Sequence, residues 1–174
     1  MKKTVLLVCL AVAVCSALAG QQAVEKPMCE KKVQVLLDKV LEMWNKPDLA
    51  LIPELYTADC IAQTSSMPEP YVGFAGIKAW VENTRAMMPD LKMTFEEAVV
   101  QEEKVATAWT MTGTHTGPMP TPMGVVPPTG KKVRITGLAI DTMKDGKFQK
   151  EVVVFNVLEM MMQMGFQLLP PKGE

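Results

Sequence analysis

Four stretches in the second half of the chain alternate apolar and polar side chains with a period of two. Leu91, Met93 and Phe95 alternate with polar neighbours, and Val105, Thr107, Trp109, Met111 and Gly113 alternate with Ala106, Ala108, Thr110 and Thr112. Val133–Met143 is a third run, and Phe148–Asn156 returns from it across Lys144-Asp145-Gly146. Successive side chains of a strand point to opposite faces, so this period predicts strands. Asp-Gly between two such runs predicts a tight hairpin turn. A chain with this many long antiparallel strands in succession has to build a sheet and cover one face of it.

The first half supplies the cover. Val33, Leu36, Leu37, Val40, Leu41 and Trp44 recur at helical spacing, which predicts an amphipathic helix over Glu30–Asn45. Asn45-Lys46-Pro47-Asp48 breaks it, and Leu49–Tyr56 reads as a second, short helix. Cys60–Thr64 is β-like, and Ser65–Tyr71 is a loop. Gly73–Met87 is helical with Ile77, Trp80, Val81 and Thr84 on one face, until Pro89-Asp90 stops it. Val157–Gly165 reads as a closing helix. Helices followed by a run of strands indicate α+β, here a curved sheet wrapped around helices with one concave, partly apolar cavity.

Lys2 and Lys3 precede the apolar run Thr4–Ser16, and Ala17-Leu18-Ala19 is a small-x-small cleavage site. Residues 1–19 read as a secretory signal peptide, which predicts export to a periplasm or the medium. Residues 20–29 form a polar leader, 30–169 one domain, and 170–174 a tail. No membrane span is expected in the mature chain. Losing Lys2 and Lys3 takes the formal charge from −1 to −3, and no basic patch appears, so nucleic acid is not an expected partner. Cys29 and Cys60 remain after cleavage, either as one disulfide or as two small buried hydrophobes.

His115 is the chain's only histidine, at the end of a strand and before the Pro-, Met- and Thr-rich loop Gly117–Gly130. An imidazole there is either a pocket-rim acid/base or an anchor for the loop. One histidine cannot build a zinc site, and no phosphate-cradling loop or nucleophile elbow is present. The methionines around 160–164 read as an adaptable apolar face rather than a thioether metal site.

Several segments together resemble a known family. Asn45–Tyr56 (NKPDLALIPELY), Gly73–Val81 (GFAGIKAWV), Pro89–Met93 (PDLKM), Trp109–Gly117 (WTMTGTHTG), Pro127–Lys131 (PPTGK) and Val153–Gly165 (VVFNVLEMMMQMG) are similar, in order and spacing, to SnoaL-like polyketide or ester cyclases. These form a branch of the nuclear-transport-factor-2-like superfamily. The resemblance covers about residues 32–169. It implies a cone-shaped α+β barrel of a curved antiparallel sheet on about three helices, enclosing a deep pocket and often dimerising through the open sheet face. It also implies a small-molecule ligand and cofactor-free, metal-free ring closure, in which a pocket carboxylate acts as acid/base.

On that resemblance His115 matches the family's HTG. Asn156 stands where many relatives carry aspartate, Gln63 where histidine is common, Val152 where tryptophan is common and Ala108 where arginine is common. Asparagine can orient a carbonyl but takes no proton at neutral pH. Asp141 shares parity with Val133, Ile135 and Ala139, which makes it either a base facing the apolar cavity or a solvated residue near the 144–146 turn. The candidate catalytic residues are therefore His115, Asp141 and Asn156. The candidate substrate-binding residues are Gln63, Trp80, Trp109, Met111 and Val152. Three functions remain open: a cyclase, isomerase or lyase on a carbonyl-bearing molecule, a binding module for an apolar ligand, and a dimerising interaction domain.

Overall fold

The computed structural model describes residues 30–169. The expected signal segment, leader and tail lie outside the described residues, as does Cys29 of the expected Cys29–Cys60 pair. Cys60 itself is buried in the core. No helix among the described residues is long and apolar enough to cross a membrane.

The helix α1 spans Glu30–Asn45, as its spacing predicts. Val33, Leu36, Leu37, Val40, Met43 and Trp44 form its buried stripe, while Leu41 lies at the margin. The expected second helix is split. Asp48 caps a short 3₁₀ turn, Leu49–Leu51, by accepting from the Ala50 N–H, and α2 is only Ile52–Leu55. Tyr56 already belongs to strand β1, Tyr56–Thr64, which is longer than expected. The two-residue β2, Tyr71–Val72, leads into α3, Gly73–Met87.

The long strands are β3 (Lys92–Gln101), β4 (Lys104–Thr114), β7 (Lys132–Lys144) and β8 (Lys147–Phe155). Between them β5 (Met119–Thr121) and β6 (Gly124–Val126) form a separate small hairpin inside the proline-rich loop. The helix α4, Val157–Gln163, closes the domain. The main sheet runs β2-β1-β8-β7-β4-β3. It is antiparallel except where β1 runs parallel to β8. The sheet is curved and open, with β2 and β3 as its edges, rather than a closed barrel, and four α-helices among the described residues accompany it. α1 packs on β3, α3 on β1 and α4 on β7.

The turn from β7 to β8 is the one the sequence predicts. Asp145 and Gly146 both have positive φ, at 52° and 75°, matching the right-handed twist of the strands they join. Two residues further on the register slips. Met143 pairs with Phe148, but Thr142 pairs with Lys150, so Gln149 is an extra residue in β8. Such a bulge bends a strand and changes which side chains face inward. From here Glu151, Val153 and Phe155 take the concave face, and Val152 and Val154 the convex one.

Candidate functional site

The concave face and the helices enclose a cavity of about 380 Å³. Its walls are mainly aromatic and thioether. On the helix side Trp80 stacks on Tyr71, with ring centroids 5.4 Å apart and planes 10° off parallel, and meets Trp44 edge-on at 5.2 Å. On the sheet side Trp109 meets Phe155 at 6.0 Å. Trp109 lies over Gly137 on the neighbouring strand, where an added Cβ would come within 2.3 Å of the indole. Nine methionines line the space, among them Met119 and Met123 from the small hairpin. Met123 is 94% exposed, which marks the hairpin as the open rim.

The buried end carries the charge. Asp141 on β7 and Glu151 on β8 are direct cross-strand partners, and both line the cavity. Direct partners on one face have Cβ atoms about 5 Å apart. Asp141 is only 4% exposed, and its Oδ1 has no hydrogen-bond partner among the described residues. Glu151 Oε2 accepts a 3.0 Å hydrogen bond from the hydroxyl of Tyr56, itself packed on Phe148 at 5.4 Å.

Burial pushes the Asp141 carboxyl well above its ordinary range, and the neighbouring Glu151 charge adds to this. Burial also raises Glu151 to about 7, opposed by the Tyr56 hydrogen bond. Tyr56 is raised in turn, first by burial and then by the Glu151 charge. Two carboxyls so placed titrate as a unit and hold a proton near neutral pH. Such a pair can give a proton to one atom of a bound molecule and take one from another.

The sequence-derived candidates separate cleanly. Asp141, Trp80, Trp109 and Met111 line the cavity, and Asp141 is buried rather than solvated. His115, Asn156, Gln63 and Val152 do not line it. Val152 pairs with the exposed Ile140 on the convex face because of the Gln149 bulge. Gln63 pairs with Val152 across β1 and β8, and its amide donates to the Thr64 and Met67 carbonyls. Asn156 is exposed and caps α4, its Oδ1 accepting from the Glu159 N–H at 3.0 Å. Glu151 and Tyr56 are the site residues that sequence reasoning missed. Counting back from the two-residue turn places Lys150, not Glu151, opposite Asp141, and no residue type announces the bulge.

His115 is fully buried behind the cavity. The end of α3 covers this part of the inner face: Met88 packs against Gly113, and the Met87 carbonyl accepts from the N–H groups of Thr116 and Gly117. The imidazole serves the loop instead. Its Nδ1 lies 3.0 Å from the Thr129 hydroxyl and accepts from the Thr129 N–H at 3.3 Å. Its backbone bonds Gly130 and Lys131. Burial holds the ring's pKa down, with a partial offset from the Gly117 backbone, so it stays neutral at pH 7. His115 thus ties the two stems of the loop that carries β5 and β6.

The chain is similar in fold to several solved structures. TsrD from Streptomyces laurentii is 20% identical, with a TM-score of 0.70 over 79% of this chain and 98% of its own. A putative SnoaL-like polyketide cyclase from Jannaschia sp. CCS1 is 19% identical, with a TM-score of 0.66 over 84% of this chain and 99% of its own. IdmH, a putative polyketide cyclase from Streptomyces antibioticus, is 24% identical, with a TM-score of 0.63 over 76% and 98%. None of the curated proteins matches the sequence. The family model for SnoaL-like polyketide cyclases matches residues 34–164, nearly the whole of the described domain. The chain belongs to the SnoaL-like polyketide cyclase family.

Proposed function

We propose that this is an exported protein that binds an apolar, carbonyl-bearing small molecule in its cavity and moves a proton on it without a cofactor. The observation that supports this reading is the Asp141–Glu151 pair at the buried end of the cavity. In the proposed step the ionised member of the pair takes a proton from a carbon beside the carbonyl. The protonated member hydrogen-bonds the carbonyl oxygen as negative charge develops there. Export rests on the sequence of residues 1–19.

The test uses 2-tetralone, a bicyclic ketone of suitable size, in deuterated water. The wild type is expected to speed exchange of the protons next to the carbonyl. Asp141→Asn and Glu151→Gln should each cut that rate roughly 10²-fold. Equal rates in the wild type and both variants would remove the proposal.

A second proposal concerns the convex face. Leu138, Ile140 and Val154 are more than half exposed there on adjacent central strands. The occupant we propose is a second copy of this chain, as the family resemblance implies. Light scattering should give a dimer for the wild type and a monomer for Leu138→Glu. A monomeric wild type at micromolar concentration contradicts it.

A further inference from the structure

We infer that the cavity takes an organic cation: an apolar, ring-bearing molecule whose basic nitrogen sits against Asp141 and Glu151. This rests on the reading that the cavity binds a small molecule. It does not depend on whether a proton is then transferred.

The charge pattern carries the inference. Two carboxyls line the cavity, and no Lys, Arg or His does so among the described residues. An anionic ligand would meet only repulsion at the buried end. An ammonium brings up to three N–H donors and a positive charge, which is what this end lacks.

The buried carboxyl is built but unmatched. Asp141 is nine-tenths buried or more, and its Oδ1 has no partner among the described residues. Buried polar atoms in folded proteins are nearly always paired, and one that faces a cavity points to a ligand that pairs it. Glu151 has the Tyr56 hydroxyl on one oxygen only. Cation and ionised carboxylate then form charge-assisted hydrogen bonds, which gain strength where the carboxyl is buried as Asp141 is.

The walls suit the same ligand. Tyr56, bonded to Glu151, and Phe148 packed on it put aromatic rings beside the charged end, and Trp80, Tyr71 and Trp109 are further aromatic walls of the same cavity. Aromatic faces attract cations through their quadrupole. The thioethers adapt to the shape of an apolar body. A volume of about 380 Å³ admits one or two rings with a short amine-bearing arm.

The test compares three probes of one shape: 1-naphthylmethylamine, 1-naphthylmethanol and 1-naphthoate, titrated into the protein at pH 8 by calorimetry. The amine is expected to bind roughly tenfold tighter than the alcohol or better, with the naphthoate weakest, as charge-assisted bonds are stronger than neutral ones. In Asp141→Asn/Glu151→Gln the preference for the amine should fall below about twofold, and alcohol binding that is still measurable shows that the cavity is intact. Equal affinity of the wild type for amine and alcohol overturns the inference but leaves a binding cavity. A preference that survives in the double variant overturns it too. Binding of none of the three overturns the cavity reading beneath it.

Discussion

Asp141 and Glu151 face each other across β7 and β8 because Gln149 is one residue too many in the hairpin between them. A regular ladder from the Asp145-Gly146 turn would set Lys150 against Asp141 and give an ion pair. The bulge replaces it with two acids in a mostly apolar cavity. The fold bears this arrangement at a cost in stability, and that cost depends on pH.

Glu151 is raised from 4.5 to about 7, and Asp141 is raised from 3.8. Between these values the folded state binds more protons than the unfolded one. Stability is therefore fully present below pH 4 and is lost as pH rises through the folded-state values. The domain should be more stable at pH 5 than at pH 8, with the coupled pair together setting a difference of about 2–3 kcal/mol. Urea unfolding at the two pH values measures this. In Asp141→Asn/Glu151→Gln the decline should largely vanish.

Gly137 has no room for a side chain. A Cβ there would lie 2.3 Å from Trp109 Cζ2 and 2.7 Å from the Val154 carbonyl oxygen. Gly137→Ala must displace the indole, so it should cost about 2–3 kcal/mol as an overpacking change. It should also alter tryptophan fluorescence and weaken ligand binding, since Trp109 lines the cavity. Calorimetric melting with a parallel ligand titration separates the two effects.

His115 clamps the stems of the 117–130 loop, so its loss should be felt there first. His115→Ala is expected to destabilise the domain by about 2 kcal/mol by emptying a fully buried site. Thr129→Val keeps the ring and should cost about 1 kcal/mol. In both, hydrogen exchange should speed up at Gly130 and Lys131 more than in β7. Proton exchange on a bound ketone should persist in both variants, unlike in Asp141→Asn.

The strand period and the helical spacing made most of the fold legible. Glu30–Asn45 and Gly73–Met87 are helices at the expected limits. The hairpin at Lys144–Lys147 forms where Asp-Gly places it. Asp141, Trp80, Trp109 and Met111 reach the cavity because strand parity or helix phase is unbroken up to each of them. The failures share a local cause. Val152 and Asn156 are candidates through the family resemblance, but the Gln149 bulge turns Val152 to the convex face and Asn156 lies past the end of β8, where it caps α4. His115, a candidate as the lone histidine and as the match to the family's HTG, lies one residue past the end of β4, where the chain leaves the sheet to meet α3. Tyr56 was read as the last residue of a helix and is the first of a strand. Periodicity reports which side a residue takes only while the ladder is regular, and neither bulges nor strand ends disturb the pattern of residue types.

A proton held by Asp141 and Glu151 near neutral pH is what equips the cavity for acid–base chemistry. Carbon-13 NMR of the carboxyl groups across pH 3–9 reads that proton, with resonances assigned through Asp141→Asn and Glu151→Gln. Two coupled carboxyls should titrate well above the others, one of them near 7, and the Glu151 step should move upward in Tyr56→Phe as its stabilising hydrogen bond is lost. Titration midpoints below about 5 for every Asp and Glu carboxyl would overturn this reading.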